Sequence, residues 1–206
     1  MGIQSARKKF AMTHSSLTVI REEHAALAAM LRSLLLMVER GPKHDSDTFF
    51  SVLRAMLFYV DEFPERLHHT KETELFFPKL RGVSAEIDAA IDRLDREHGK
   101  GEAAIRELQH LLLAWEMLGD ARRGAFEGAC IRYVNFYLDH MRIEETLVLP
   151  SAESRLTEAD WNELDEAFET NRDPLTGKYP ADPAYERLFA QILLKAPAPI
   201  GVGEDC

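Results

Sequence analysis

The sequence predicts an all-α protein: an up-down antiparallel four-helix bundle followed by a short C-terminal helical extension. Three observations predict it. Leucine (26) and alanine (24) outnumber valine (8) and isoleucine (9) by 50 to 17, a balance that favours helix over strand. No proline occurs between Arg81 and Leu149, so long uninterrupted helices are allowed there. Apolar residues recur at spacings of three and four along four long stretches.

The first helix spans Ser15 to Arg40, with Leu17, Ile20, Leu27, Leu31, Leu34 and Val38 on its stripe; His24 fills the gap between Ile20 and Leu27. Gly41-Pro42 ends it. The second starts near Ser46 and carries Leu53, Leu57 and Val60, then His68, Glu72 and Leu75, stopping at Pro78. Pro64 inside it is expected to kink the backbone. Ser84 caps a third helix whose seam reads Ile87, Ile91, Leu94, His98, Ile105, Leu108, Leu112, Trp115, and Gly119 closes it. The fourth reads Phe126, Cys130, Tyr133, Tyr137, His140, Glu144, Leu147, with Pro150 just beyond.

The expected organisation is a stub (1–14), the bundle (15–153), a helical extension (154–195) and a flexible tail (196–206). Thr157 and Asp160 open one short helix in the extension; a second spans Pro183 to Leu194. Proline and glycine after Lys195 predict disorder.

Composition excludes several functions. Thirty-five acids against 25 bases give a net charge of −10 without a basic stripe, which argues against nucleic acid. The cluster Arg7-Lys8-Lys9 reads as solvated. No apolar run follows it as in a signal peptide, and none is long enough to span a membrane. Two cysteines, Cys130 and Cys206, fit a reducing cytoplasm better than a disulfide framework.

The chain also repeats itself. His68 and His140 are each followed by glutamate at the fourth position and proline at the tenth. Arg21-Glu22-Glu23-His24 matches Asp95-Arg96-Glu97-His98. In an antiparallel pair, two residues share a level when their sequence midpoint falls on the connecting turn. The midpoints of His24 with His68, His68 with His98, and His98 with His140 are positions 46, 83 and 119, each at a turn chosen on other grounds. Four histidines are therefore expected at one height, with Glu72 and Glu144 one helical turn along on the same faces.

A lone histidine on an apolar stripe is usually a core residue; four at one level, two with a following glutamate, reverse that reading. Buried unpaired carboxylates cost several kcal/mol each, and no lysine or arginine stripe neutralises these. Metal cations would. Imidazole with carboxylate suits iron, manganese or zinc, and two cations bridged by both glutamates fit six ligands better than one tetrahedral zinc.

These motifs, His24, His68-x-x-x-Glu72, His98 and His140-x-x-x-Glu144, resemble the hemerythrin-like, or HHE cation-binding, domain. Asp61-Glu62-Phe63-Pro64-Glu65-Arg66 and Leu75-Phe76-Phe77-Pro78 share the likeness. The resemblance implies a non-haem centre of two iron ions, oxo- or hydroxo-bridged, that meets O2, NO or peroxide. The alternative is an iron-storage or iron-sensing module acting through a protein partner.

Oxygen-carrying hemerythrins have a fifth histidine where this chain has Glu102. Glu102 is read evenly as an additional ligand or as a solvent-facing acid. Four histidines, two bridging glutamates and a bridging oxygen leave two of twelve positions open, so reversible oxygen transport is not expected. Glu144 is preferred over Glu145, which points about 140° away from the face of His140. His69, rotated by about 100° from His68, is placed beside the site or at the surface. His14, His44 and His110 are read as solvated, Cys130 and Tyr133 as core, and Tyr137 as core with a hydroxyl near the site.

Overall fold

The structure is a computed structural model and describes residues 14–170, 173–176 and 183–203. Arg7-Lys8-Lys9, Asn171-Arg172 and Cys206 lie outside the described residues. Helix α1 (Ser15–Arg40) ends at Gly41, whose φ of 68° is a left-handed value that glycine adopts without steric cost. Asp45 then accepts the Thr48 N–H at 3.0 Å and opens α2.

Helix α2 begins as Ser46–Val60 and continues unbroken to residue 80. It passes through π-helical Asp61–His68, one α turn His69–Lys71, π-helical Glu72–Phe76 and a final turn Phe77–Leu80. Helix α3 (Ala85–Leu118) is capped by Ser84, which accepts the Ile87 N–H. A 3-10 turn, Asp120–Arg122, leads into α4. That helix runs from Arg123–Ile143 through π-helical Glu144–Val148 to Leu149–Arg155. Thr157 and Asp160 form the expected capping box of α5 (Glu158–Glu169), and α6 is Glu186–Lys195. Every element among the described residues is helical, and none of their helices is long and apolar enough to cross a membrane.

The prolines behave differently from expectation. Helix α2 does not stop at Pro78, nor α4 before Pro150, and Pro64 lies inside a π-helical segment. A π-helical stretch precedes Pro78 and Pro150 as well. Its wider turn shifts the hydrogen bonding by one residue, which accommodates the missing proline N–H without ending the helix.

Helix α1 packs on α2 and α4, and α3 packs on the same two. Their apolar stripes form two clusters. One, around Leu31, Leu53, Trp115 and Phe126, is flanked by α6; the other, around Ile20, Phe76, Ile91 and Leu149, is covered by α5. Between Ile20 and Leu27 on α1, and between Leu94 and Ile105 on α3, the stripe carries histidine instead. A polar layer thus separates the two clusters.

Residues 196–203 are anchored where disorder is expected. Ser33 Oγ donates to the Pro197 carbonyl at 2.8 Å and accepts the Ile200 N–H at 3.0 Å, while Ala196 is fully buried. A buried serine on α1 supplies the partners that the backbone of this segment needs.

Candidate metal centre

The polar layer holds all six predicted residues. His24, His68, His98 and His140 are buried, as are Glu72 and Glu144. The His24 and His68 rings lie 5.1 Å apart, those of His98 and His140 4.9 Å apart.

Each glutamate faces both ring pairs. Glu72 directs Oε1 to His68 Nε2 at 3.1 Å and Oε2 to His98 Nε2 at 3.5 Å. Glu144 directs Oε1 to His140 Nε2 at 3.1 Å and Oε2 to His24 Nε2 at 3.3 Å. His98 and His140 also bring their Nε2 atoms to 3.2 Å of each other. Among the described residues, two groups have ligand atoms close enough to hold a cation: His24, His68 and Glu72, and His69, Glu72, His98 and His140. Glu72 belongs to both.

The donor chemistry fits metal cations. Both oxygens of Glu72, both oxygens of Glu144 and Nε2 of His68 are buried with no hydrogen-bond partner. Orphaned buried carboxylate oxygens are strongly unfavourable, and a shared cation relieves them.

An outer layer fixes the rings. Nδ1 of His24 meets Glu145 at 3.1 Å, that of His68 meets Glu23 at 2.6 Å, and that of His69 meets Glu65 at 3.2 Å. Nδ1 of His98 meets Thr73 at 2.8 Å, and that of His140 meets Glu97 at 3.0 Å. With Nδ1 engaged outward on all five rings, Nε2 is left to face the interior, the arrangement that orients metal-ligating histidine. Glu145 reaches His24 from the half-exposed side while Glu144 is buried, so the two neighbours divide the roles by facing different ways.

Protonation responds to this crowding. Burial disfavours charge on His140, yet Glu144 and Glu97 overcome it and lift its pKa to about 10. His68 rises well above the usual value, and His24 rises, because neighbouring glutamates likewise outweigh burial. Burial and the neighbouring His140 push His98 down to about 3; burial and His98 depress His69. Glu72 is raised by burial and by Glu144, whereas the imidazoles around Glu144 overcome its burial and hold it well below the usual range. Without a cation, the glutamates favour the protonated forms of His24, His68 and His140.

His69 corrects the sequence reading. It is 4% exposed, its ring stacks on His98 at 4.3 Å, and it belongs to the second ligand group. Behind it, Glu65 accepts from Tyr133 at 2.8 Å and from Tyr137 in a shorter bond. Burial pushes the Glu65 carboxyl up to about 7 against those two bonds. Sequence reasoning misses Glu65, Glu23, Glu97 and Thr73. A signal exists for two of them, since Glu23 and Glu97 occupy matching positions in the repeated Glu-His pair.

For Glu102 the solvent-facing alternative holds. It pairs with Arg106 at 3.1 Å, is nearly half exposed and belongs to neither ligand group. His14 is not simply solvated: its ring stacks on Trp161 at 4.3 Å. His44 and His110 are exposed, and Cys130, Tyr133 and Tyr137 are core residues as expected.

A buried histidine–carboxylate cluster between the apolar halves of a helical bundle defines a cation-binding protein. The model of the family described as the hemerythrin HHE cation-binding domain matches residues 15–170, and the chain belongs to that family. Comparison with curated proteins gives no match.

Proposed function

We propose that this chain is a non-haem di-iron protein that binds O2, NO or peroxide. The observation that carries the reading is the sharing of Glu72 by two buried ligand groups whose carboxylate oxygens have no other partner. His24, His68, one oxygen of Glu72 and one of Glu144 would hold one iron. His69, His98, His140 and the other two oxygens would hold the second. Bound iron would supply the electrons and open coordination positions that such small oxidants require.

The two sides differ in donors. Two histidines would serve the His24/His68 side and three the other, so a position open to a small ligand would lie on the His24/His68 side. As a fifth nitrogen donor His69 would fill one of the two positions that four histidines leave open, which brings reversible binding within the proposed class. A small cavity of about 10 Å³, bordered by His24, His68, His69, Phe63, Met141 and Asp173, adjoins the polar layer.

The reading includes an up-and-down order of α1 to α4, supported by the His24–His68 and His98–His140 ring contacts. Cys130, free and buried, fits a cytoplasmic setting. Storage is disfavoured because two fixed cation positions hold little iron.

Metal analysis of the purified protein tests the reading, with about two irons per chain expected. Air admitted to the reduced protein should change its absorption spectrum. Replacing His68 and His140 together by alanine should abolish iron binding. Full iron retention in that double variant overturns the proposal.

A further inference from the structure

We propose that a second site, independent of the metal centre, binds amphipathic organic cations: an ammonium head on an apolar body. The site is a groove of about 590 Å³ between α2, α3 and α6. Leu57 and Leu112 are buried at its base, while Phe58 and Leu113 line it at 41% and 52% exposed. This volume lies in the range of small-molecule sites, and a mostly apolar lining with a few polar groups is their usual composition.

The polar group is Asp61. It follows Leu53 and Leu57 at four-residue intervals, placing a carboxylate on the apolar stripe of α2. It is 8% exposed, and its Oδ1 is buried without a hydrogen-bond partner. Oδ2 receives only a long contact from Gln109 Nε2, at 3.4 Å. A buried carboxylate oxygen in this state calls for a donor, best of all a cationic one.

The two arginines of the groove are already engaged. Arg54 pairs with Glu116, and Arg66 pairs with Glu62 at 2.9 Å. Once those pairs cancel, the remaining charge of the groove is that of Asp61. An anionic ligand would meet it unfavourably, a neutral donor would pair with the carboxylate without charge assistance, and an ammonium ion would pair with it charge to charge while its apolar body covers Phe58 and Leu113.

The test is calorimetric titration at pH 7 of the purified protein with three probes of equal length: n-octylammonium, 1-octanol and octanoate. One octylammonium should bind per chain, at least about tenfold more tightly than either other probe, as a charge-assisted hydrogen bond requires. Asp61→Asn should bring octylammonium down to the level of 1-octanol and leave 1-octanol unchanged. Leu113→Gln, at an exposed position that does not endanger folding, should weaken all three probes alike. The proposal is overturned by an absence of saturable binding, by a preference for octanoate, or by an ammonium preference that survives Asp61→Asn. Binding unaffected by Leu113→Gln would put the probe elsewhere and overturn it equally. So would a concentration-dependent dimer, seen by sedimentation, that octylammonium fails to enter or dissociate.

Discussion

Two glycines on α3, two positions apart, should respond to the same substitution with opposite signs. A Cβ on Gly101 would lie 1.8 Å from the Tyr137 hydroxyl oxygen, 2.8 Å from its Cζ and 2.9 Å from Glu65 Oε1. Nothing lies within 4 Å of a Cβ on Gly99. Alanine in place of a mid-helix glycine gains about 1 kcal/mol of helix propensity, which Gly99→Ala should realise nearly in full. Gly101→Ala gains the same and must displace Tyr137, whose ring is held 5.5 Å from His69 and 5.6 Å from His140. Overpacking costs about 1–3 kcal/mol, and weakening a hydrogen bond to a charged group about 1.5–3 kcal/mol more. The net expectation is a loss of about 2–4 kcal/mol.

Urea denaturation of the protein as isolated reads both effects. With a slope of about 2 kcal/mol per molar, the Gly101→Ala midpoint should fall by about 1–2 M and the Gly99→Ala midpoint should rise by up to about 0.5 M. Adding Tyr137→Phe to Gly101→Ala removes the nearest clashing atom but not Cζ, so part of the loss should return, a coupling of about 1 kcal/mol. Bound iron should fall in Gly101→Ala as well, because Glu65 positions His69. A Gly101→Ala protein as stable as Gly99→Ala would refute the close approach of Tyr137 to α3.

His69→Ala should lower iron from about two to about one per chain, while Glu102→Gln leaves it unchanged; metal analysis with equal loading decides between them. Glu23→Gln and Glu97→Gln should each weaken metal affinity by about 10–100-fold in chelator competition, since each fixes the ring of a histidine on the next helix. The metal-free protein should lose stability from about pH 7 to 10, above the range in which His98, depressed to about 3, gives the opposite slope. His140, lifted from 6.5 to about 10, contributes fully below 6.5 and loses that contribution as pH rises toward 10. Glu65, raised from 4.5 to about 7, adds a penalty that grows between those values, because the unfolded chain gives up its proton first. Thermal melts of chelator-treated protein that become more stable from about pH 7 to 10 would contradict the sign for His140.

The sequence carried the level of the site because helical geometry is regular at the scale of whole turns. His24, His68, His98 and His140 align from midpoints alone, and Glu144 is separated from Glu145 by angle alone. His69 defeats the same angle. A rotation of about 100° suggests a side chain turned away from the interior. In a ring of four helices, however, the two neighbours of any helix lie roughly a right angle apart. One step along α2 therefore turns from α1 to α3: His68 faces His24 and Glu23, and His69 faces His98. The closeness of α3 and α4 at Gly101 has no sequence signature beyond the glycine itself, since only the packed structure brings Tyr137 against it.

The repeat explains the centre's symmetry and the one place where that symmetry fails. A shift of 72 residues carries His68 onto His140, Glu72 onto Glu144 and Thr73 onto Glu145. The members of each pair serve alike, as ring, as shared carboxylate, and as partner for the Nδ1 of the first- or third-helix histidine. Glu23 and Glu97 correspond under a shift of 74, as do His24 and His98. The same shift carries His69 onto Met141, a thioether where the other half has an imidazole. Met141 borders the small cavity beside His24 and His68. On the proposed reading, the repeated helical pair would build two matched cation positions, and this one difference would make them unequal, with a nitrogen donor on the His69 side and room for a small ligand on the Met141 side. Met141→His should fill that side: it should raise metal affinity there and abolish the binding of azide, used as a small anionic probe, to the oxidised protein. Azide binding unchanged in Met141→His would place the open position elsewhere.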